Sequence, residues 1–334
     1  MNKLLFSLAI TVVSMVAVAQ KRSPAYVDAR RNGAEAQLKV RVVDNEGAIV
    51  SNANIRVFMG MNFRPKGYYL EGITDTSGVF VAEGKTCGDE ISIDVMKDGY
   101  YSSSKKLSFA KMGEEYEVKN GKWLPYGATE VLRLRPIKNP ISLVKHGFGM
   151  GKDVPCTNKW IGIDMAIGDF VKPYGKGSVA DFEVMVEWDG HPPAKSDYCA
   201  VTIRFMEQLA GGYYAEKIIE SEYPYVYLAN EDATYNIRQF RVVGRDRVSR
   251  GKQVPLGDKT TFVTRTRCVL DQNGNLKTAN YGFIRVLNVD AGWDGKPTMQ
   301  LAFIFNPTPN DTNLECNMKN NLCPTQERIH NPRP

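Results

Sequence analysis

The feature that most constrains this chain is a two-residue hydrophobic alternation that returns repeatedly between short turn signals. Leu38, Val40 and Val42 alternate with Lys39 and Arg41, the period of a strand with one buried face. Ile55-Arg56-Val57-Phe58, Val79-Phe80-Val81, Ile91-Ser92-Ile93-Asp94-Val95 and Val131-Leu132-Arg133-Leu134 continue the pattern. Between them stand Asp44-Asn45-Glu46-Gly47 and Thr74-Asp75 with Gly78, residue types that bond their own backbone and accept positive φ. Short strands punctuated in this way build antiparallel sandwiches, so the expected fold class is all-β, with two antiparallel β-sandwich domains. At 334 residues there is room for about two of them.

The N-terminus carries an address. Lys3 precedes the apolar run Leu4 to Ile10, and Ala17-Val18-Ala19 supplies small residues before Gln20, the order of a secretory signal peptide cleaved after residue 19. The apolar segment is shorter than the ~20 residues a membrane span needs, and no later stretch is long or apolar enough. Loss of residues 1 to 19 removes Lys3 alone and lowers the formal charge from +6 to +5. That small excess, interspersed with acids, argues for solubility and against nucleic-acid binding. The expected location is therefore secreted or periplasmic, in the cell envelope, with no transmembrane segment after cleavage. Residues 20 to 36 are polar and aperiodic and read as a flexible lead-in.

Residues 37 to 136 carry a resemblance. Val43-Asp44 with Gly47, Ala53, Ile55-Arg56-Val57, Thr74-Asp75 with Gly78 and Phe80, Lys97-Asp98-Gly99-Tyr100 and the closing Val131 to Pro136 together resemble the carboxypeptidase regulatory-like domain. The resemblance implies a transthyretin-like or prealbumin-like sandwich, an accessory module of exported bacterial proteins with no catalytic residues of its own. The stretch Tyr101 to Lys122 is longer than that pattern expects before the last strand.

Lys138-Asn139-Pro140 marks a boundary, because proline interrupts a ladder and restricts its predecessor. Residues 141 to 315 then read as a second, jelly-roll-like sandwich of unknown function. Its strands are expected at Trp160 to Ile163, Phe182 to Trp188, Ala200 to Phe205, Tyr225 to Leu228, Tyr235 to Val243, Thr261 to Leu270, Tyr281 to Leu287 and Met299 to Phe305. Asp271-Gln272-Asn273-Gly274-Asn275 reads as a tight hairpin. Trp188-Asp189-Gly190-His191-Pro192 and Trp293-Asp294-Gly295-Lys296-Pro297 share a pattern at strand ends. The stretch Gly168-Asp169-Phe170-Val171-Lys172-Pro173-Tyr174-Gly175-Lys176-Gly177 resembles only exported proteins of unknown function.

Six cysteines in an exported chain make disulfides the expectation, with Cys156, Cys199, Cys268, Cys316 and Cys323 as candidates beside Cys87. Cys316 and Cys323 are close enough in sequence to clip the tail, 316 to 334, by a short loop worth roughly 2 to 3 kcal/mol. No paired-cysteine or HExxH frame is present and no metal or cofactor is expected. The histidines His146, His191 and His330 stand outside any catalytic motif, and no G-x-S-x-G elbow is found.

A glycosidase needs two carboxylates about 5 to 9.5 Å apart. Asp164 with Asp169 and Glu183 with Glu187 are the pairs to weigh. The second pair shares a strand face at roughly 13 Å, too far for the chemistry. Arg238, Arg241, Arg245, Arg247, Arg250 and Lys252 are dense, but Asp246 interrupts them, and a charged edge strand explains them. Tyr213, Tyr214, Tyr223 and Tyr225 are the candidate ligand-face aromatics, since rings stack on apolar ligand faces. No catalytic residue is assigned. The expectation is a non-enzymatic binding or structural protein, with a glycan or another envelope or extracellular protein as partner. The alternative is a secreted carbohydrate-active hydrolase with the first domain as its appendage.

Overall fold

A computed structural model describes residues 23–60, 68–109, 118–147, 152–188, 199–215, 220–243, 261–290 and 296–324. The expected leader, the Arg245 to Lys252 cluster, His191, His330 and most of both W-D-G-x-P turns lie outside these residues. The described chain is all-β, of sandwich type. Among the described residues no helix is long and apolar enough to cross a membrane.

Two compact units divide the chain: 1–95 with 104–132, and 96–103 with 133–334. The second unit therefore begins upstream of Lys138-Asn139-Pro140 and takes in a short segment around Tyr101, which pairs with Arg135 and Pro136.

In the first unit the strand Ala34–Asp44 lies antiparallel to Val79–Thr86, with Val40 opposite Phe80. A second sheet orders Tyr68–Ile73, Asn54–Met59, Glu90–Met96 and Ser103–Ser108. Alternation does what the sequence requires: Leu38, Val40 and Val42 from one sheet and Ile55, Val57, Ile91 and Ile93 from the other are all buried.

The lead-in expectation for residues 20 to 36 is corrected here, because Pro24–Asn32 forms a helix and the first strand begins at Ala34. Ser23 caps it by accepting from the Tyr26 N–H, Pro24 stands at its first position, and Gly33 at φ +80° ends it. Tyr26 and Ala29 bury against Trp123, with the Tyr26 and Trp123 rings edge to face at 5.8 Å.

Among the described residues one turn chemistry appears three times. Asp44, Asp75 and Asp271 each use Oδ1 to accept the N–H groups two and four residues on, at 2.8 to 2.9 Å. Gly47, Gly78 and Gly274 follow at φ +86°, +74° and +81°. The aspartate satisfies donors that the turn would otherwise strand, and the glycine takes the left-handed backbone without a Cβ clash.

The second unit is built on a sheet ordered Gly211–Tyr214, Thr261–Leu270, Leu276–Asp290, Thr298–Phe305, Ile141–Gly147 and Cys316–Asn321. Both of its faces are covered. Phe262, Ile284, Phe303 and Val144 pack against Val184, Val186, Val201 and Ile203 of a five-stranded sheet, ordered Asp169–Phe170, Ile161–Asp164, Phe182–Trp188, Cys199–Arg204 and Gln239–Val243. Their neighbours Val263, Phe283, Ile304 and Leu143 point the other way, into a layer holding Tyr223, Tyr235 and Leu314.

Residues 225 to 228, expected as a strand, instead form part of this irregular cover, with a single bridge at Leu228 to Asn313. The reason is side-chain burial. Tyr223 is 1% exposed and donates its hydroxyl to the Leu314 carbonyl, while Arg135 donates to the carbonyls of Tyr223 and Tyr225. Those carbonyls are taken by a guanidinium rather than by a ladder.

Candidate functional site

Among the described residues of the second unit, a charged constellation surrounds a short turn after Ile161–Asp164. Asp164 holds that turn as an acceptor: Oδ1 takes the N–H groups of Ala166 and Ile167 at 3.1 and 3.3 Å, and Oδ2 those of Ser178 and Val179 at 3.0 and 3.2 Å. Asp181 stands beside it and accepts from Met165 N at 2.7 Å. Both carboxylates are 2% exposed.

Arg267 joins them. Its Nε lies 2.8 Å from Asp181 Oδ1, and its Nη2 is 2.9 Å from both Asp181 Oδ2 and Asp164 Oδ1. Thr266 adds a hydroxyl donor to Asp181 Oδ1 at 3.1 Å. In a regular strand Thr266 and Arg267 would point to opposite faces. Here the pairing register slips between Thr266 and Val269, and Arg267 sits at φ +52°. That bulge lets two consecutive side chains reach one carboxylate. Burial pushes the Asp181 carboxyl above its usual range, against the pull of the guanidinium.

Sharing one nitrogen holds the two contacting oxygens no more than about 6 Å apart, close enough for the two carboxylates to be weighed as a glycosidase pair. Their oxygens are nonetheless occupied by donors from the turn, from Thr266 and from Arg267, which is the chemistry of a structural clasp. Of the pairs weighed from sequence, Asp169 accepts from Lys176 N at 3.0 Å within the loop that follows it. Glu183 pairs with Arg204 across the sheet at 2.7 Å, and Glu187 with Arg241. Arg204 also lies 3.8 Å over the Trp160 ring.

The same turn covers a second group of side chains. Gly168, at φ +73°, closes it and approaches Cys323 and His146 so nearly that a Cβ there would lie 2.7 Å from Sγ and 2.8 Å from Nδ1. Cys323 Sγ is 3.4 Å from His146 Nδ1, and both residues are 4% exposed. The contact spans 177 positions of sequence, so no local motif announces it.

No two of the six cysteines lie at disulfide distance. The expected Cys316–Cys323 clip is corrected by strand geometry. Cys316 packs in the layer with Leu143 and Tyr223, whereas Cys323 packs on the opposite face with Val144. Cys199 is buried in the core between the two sheets, and Cys156 packs at its margin. Cys268 is half-buried, its thiol pushed up to about 11 by burial.

The four candidate aromatics separate. Tyr223 is sealed, Tyr225 packs on Phe283 with ring centroids 4.0 Å apart, and Tyr213 sits edge to face with Tyr235 at 5.2 Å. Only Tyr214 of the four is largely exposed, at 46%. Tyr223 is thus removed as a ligand-face residue by its burial.

No family model matches the chain, and no curated protein matches it. Among solved structures, wild-type catechol 1,2-dioxygenase of Acinetobacter radioresistens aligns at 13% identity with a TM-score of 0.26, covering 34% of this chain and 55% of that one. The 3-chlorocatechol 1,2-dioxygenase of Rhodococcus opacus aligns at 15% identity and 0.25, covering 31% and 61%. Hydroxyquinol 1,2-dioxygenase of Pseudomonas putida aligns at 15% and 0.23, covering 31% and 57%. The matched part spans a little over half the length of those enzymes, and likeness at this level assigns no chemistry.

Proposed function

We propose that this chain is an exported, non-enzymatic binding and structural protein, in which a carboxypeptidase regulatory-like module accompanies a larger sandwich that contacts a glycan or another extracellular protein. The observation that carries the reading is the commitment of the buried acids. Asp164 and Asp181 accept from a turn and from Arg267, which leaves them as supports for the backbone. The exposed Tyr214 supports a contact surface in place of a reactive centre. The test is a glycan array probed with the full mature chain, run beside a panel of glycoside, ester and peptide substrates. Retention of a glycan class without turnover is the expected result.

A second reading, a carbohydrate-active hydrolase, is favoured by one observation: two carboxylates meet at a single guanidinium nitrogen. Turnover of any glycoside that is abolished by Asp181→Asn in a folded protein establishes that reading and overturns the first.

A further inference from the structure

Asparagine followed by glycine carries a chemistry of its own, because no side chain on the glycine keeps its nitrogen away from the asparagine amide. The sequence holds three such pairs, Asn32-Gly33, Asn120-Gly121 and Asn273-Gly274. All three asparagines are exposed, so access to water does not separate them. Their glycine N–H groups do. Gly33 N donates to the Ala29 carbonyl at 2.8 Å, and the Asn32 side-chain amide is itself held by Asp28 Oδ1 at 2.6 Å. Gly274 N donates to the Asp271 carbonyl at 3.1 Å, inside a turn whose Asn273 N–H is also taken by Asp271.

Asn120 and Gly121 are instead the two central residues of the hairpin joining Val118–Lys119 to Lys122–Trp123, in which Lys119 stands opposite Lys122. Both have positive φ, +52° and +71°, as a two-residue hairpin loop demands. The ladder bonds run between the flanking residues, so the peptide unit joining Asn120 to Gly121 lies outside them. Gly121 is tied through its carbonyl, which accepts from Glu35 N at 2.8 Å, while among the described residues its N–H meets no acceptor. That peptide plane can turn over without breaking a bond, which exchanges one two-residue turn form for the other. A Cβ on Gly121 would meet nothing within 4 Å, so the approach is open.

We propose that Asn120 is a self-modifying site, at which the Gly121 nitrogen closes on the asparagine side chain and water then leaves an aspartate or an isoaspartate. In the step, hydroxide removes the Gly121 N–H proton and the nitrogen attacks Asn120 Cγ. The N–Cγ bond forms, the Cγ–Nδ2 bond breaks, and the amide nitrogen departs as ammonia after taking a proton from water, which restores the hydroxide. Water then opens the five-membered imide. Cleavage at Cγ gives aspartate, and cleavage at the main-chain carbonyl gives isoaspartate, with the chain running through Cβ and Cγ. The balance is asparagine plus water to acid plus ammonia, with no change of oxidation state. The new carboxylate arises on the turn between Lys119 and Lys122, where two like charges otherwise face each other.

Placement sets the rate. Attack by Gly33 or Gly274 must first give up a backbone hydrogen bond, which at its usual net strength slows the step roughly three- to ten-fold relative to Gly121. The experiment holds the mature chain in mildly alkaline buffer made with heavy-oxygen water. Peptide mass spectrometry follows uptake of the label at each asparagine, and an isoaspartyl methyltransferase reads the isoaspartate. The expected result is label entering at Asn120 roughly three- to ten-fold faster than at Asn32 or Asn273, with isoaspartate among the products and a lead that disappears when the same chain is denatured. Comparable rates at the three positions in the folded chain, a faster rate at Asn32 or Asn273, or a lead at Asn120 that survives denaturation overturns the proposal.

Discussion

Glu315→Gln isolates one hydrogen-bonding junction without opening a cavity. Glu315 is 1% exposed in the second unit; its Oε1 accepts from the Tyr101 hydroxyl at 3.0 Å and the Lys138 N–H at 2.9 Å, and its Oε2 from the Asn139 N–H at 2.6 Å. A glutamine of the same shape offers one acceptor oxygen and one NH2. With the oxygen at the first position, the NH2 confronts the Asn139 N–H. With the amide flipped it confronts the Lys138 N–H, although the tyrosine hydroxyl can rotate and accept. One buried backbone donor is stranded either way, at about 1 to 3 kcal/mol. The surviving bonds lose their charge assistance, at about 1 kcal/mol more. Relief of a buried charge offsets part of this. The net expectation is a loss of about 2 to 3 kcal/mol.

For a unit of this size that loss lowers the melting temperature by roughly 4 to 12 °C. Scanning calorimetry reads it, and hydrogen exchange at Lys138 and Asn139 locates it. Tyr101→Phe removes a donor but strands no backbone group, so it should cost about 1 kcal/mol. A Glu315→Gln protein within about 0.5 kcal/mol of the parent, or no less stable than Tyr101→Phe, would refute the assignment.

Gly168→Ala should lose about 2 kcal/mol or more, since strain at φ +73° adds to a Cβ placed 2.7 Å from Cys323 Sγ; Gly274→Ala, at φ +81° with open space around it, should lose only about 1 kcal/mol. Chemical denaturation compares the two, and equal losses contradict the packing argument. Cys268 should alkylate slowly at pH 8 and accelerate up to about pH 11; because its folded value lies above the unfolded 9.0, its contribution to stability is complete below pH 9 and disappears as pH rises through 11. The Asp75 and Asp271 carboxylates are held low, first by the Ser77 hydroxyl and the Asn275 N–H respectively, so their contribution is present above pH 3.8 and lost as pH falls through their lower folded values. Carboxyl-carbon NMR titration checks this, and midpoints at or above 3.8 contradict it. Maleimide labelling of the denatured, unreduced chain should add six groups, one for each free thiol, and fewer would show that pairing has occurred.

Much of the fold was legible in short-range chemistry. The Asp-x-x-Gly turns at 44, 75 and 271 are complete local devices, with donor, acceptor and left-handed glycine inside five residues, and they appear where the sequence places them. Strands Phe182–Trp188 and Thr261–Leu270 match their expected bounds for the same reason, alternation being local. The helix Pro24–Asn32 was missed because it buries only Tyr26 and Ala29, too few residues to create a period; Ser23-Pro24 and Gly33 were the available signals.

The candidate site was less legible. Cys316 and Cys323 look close enough to pair until packing separates them, Cys316 in the layer with Leu143 and Tyr223 and Cys323 in the core with Val144, which their spacing does not announce. Arg267 reaches Asp181 only through a bulge, and a bulge reverses the face that alternation assigns. Tyr223 and Tyr225 look like an exposed cluster until Arg135, 88 and 90 positions away, takes their carbonyls.

The central claim is that the Asp164, Asp181 and Arg267 constellation is a structural clasp, and a double-mutant cycle on Asp181→Ala and Arg267→Ala measures it most directly. Each single change should cost about 3 kcal/mol by leaving a partner charge unpaired, and the double change should cost little more than either alone. Single variants that keep parental stability while a glycoside-cleaving activity vanishes would contradict the claim.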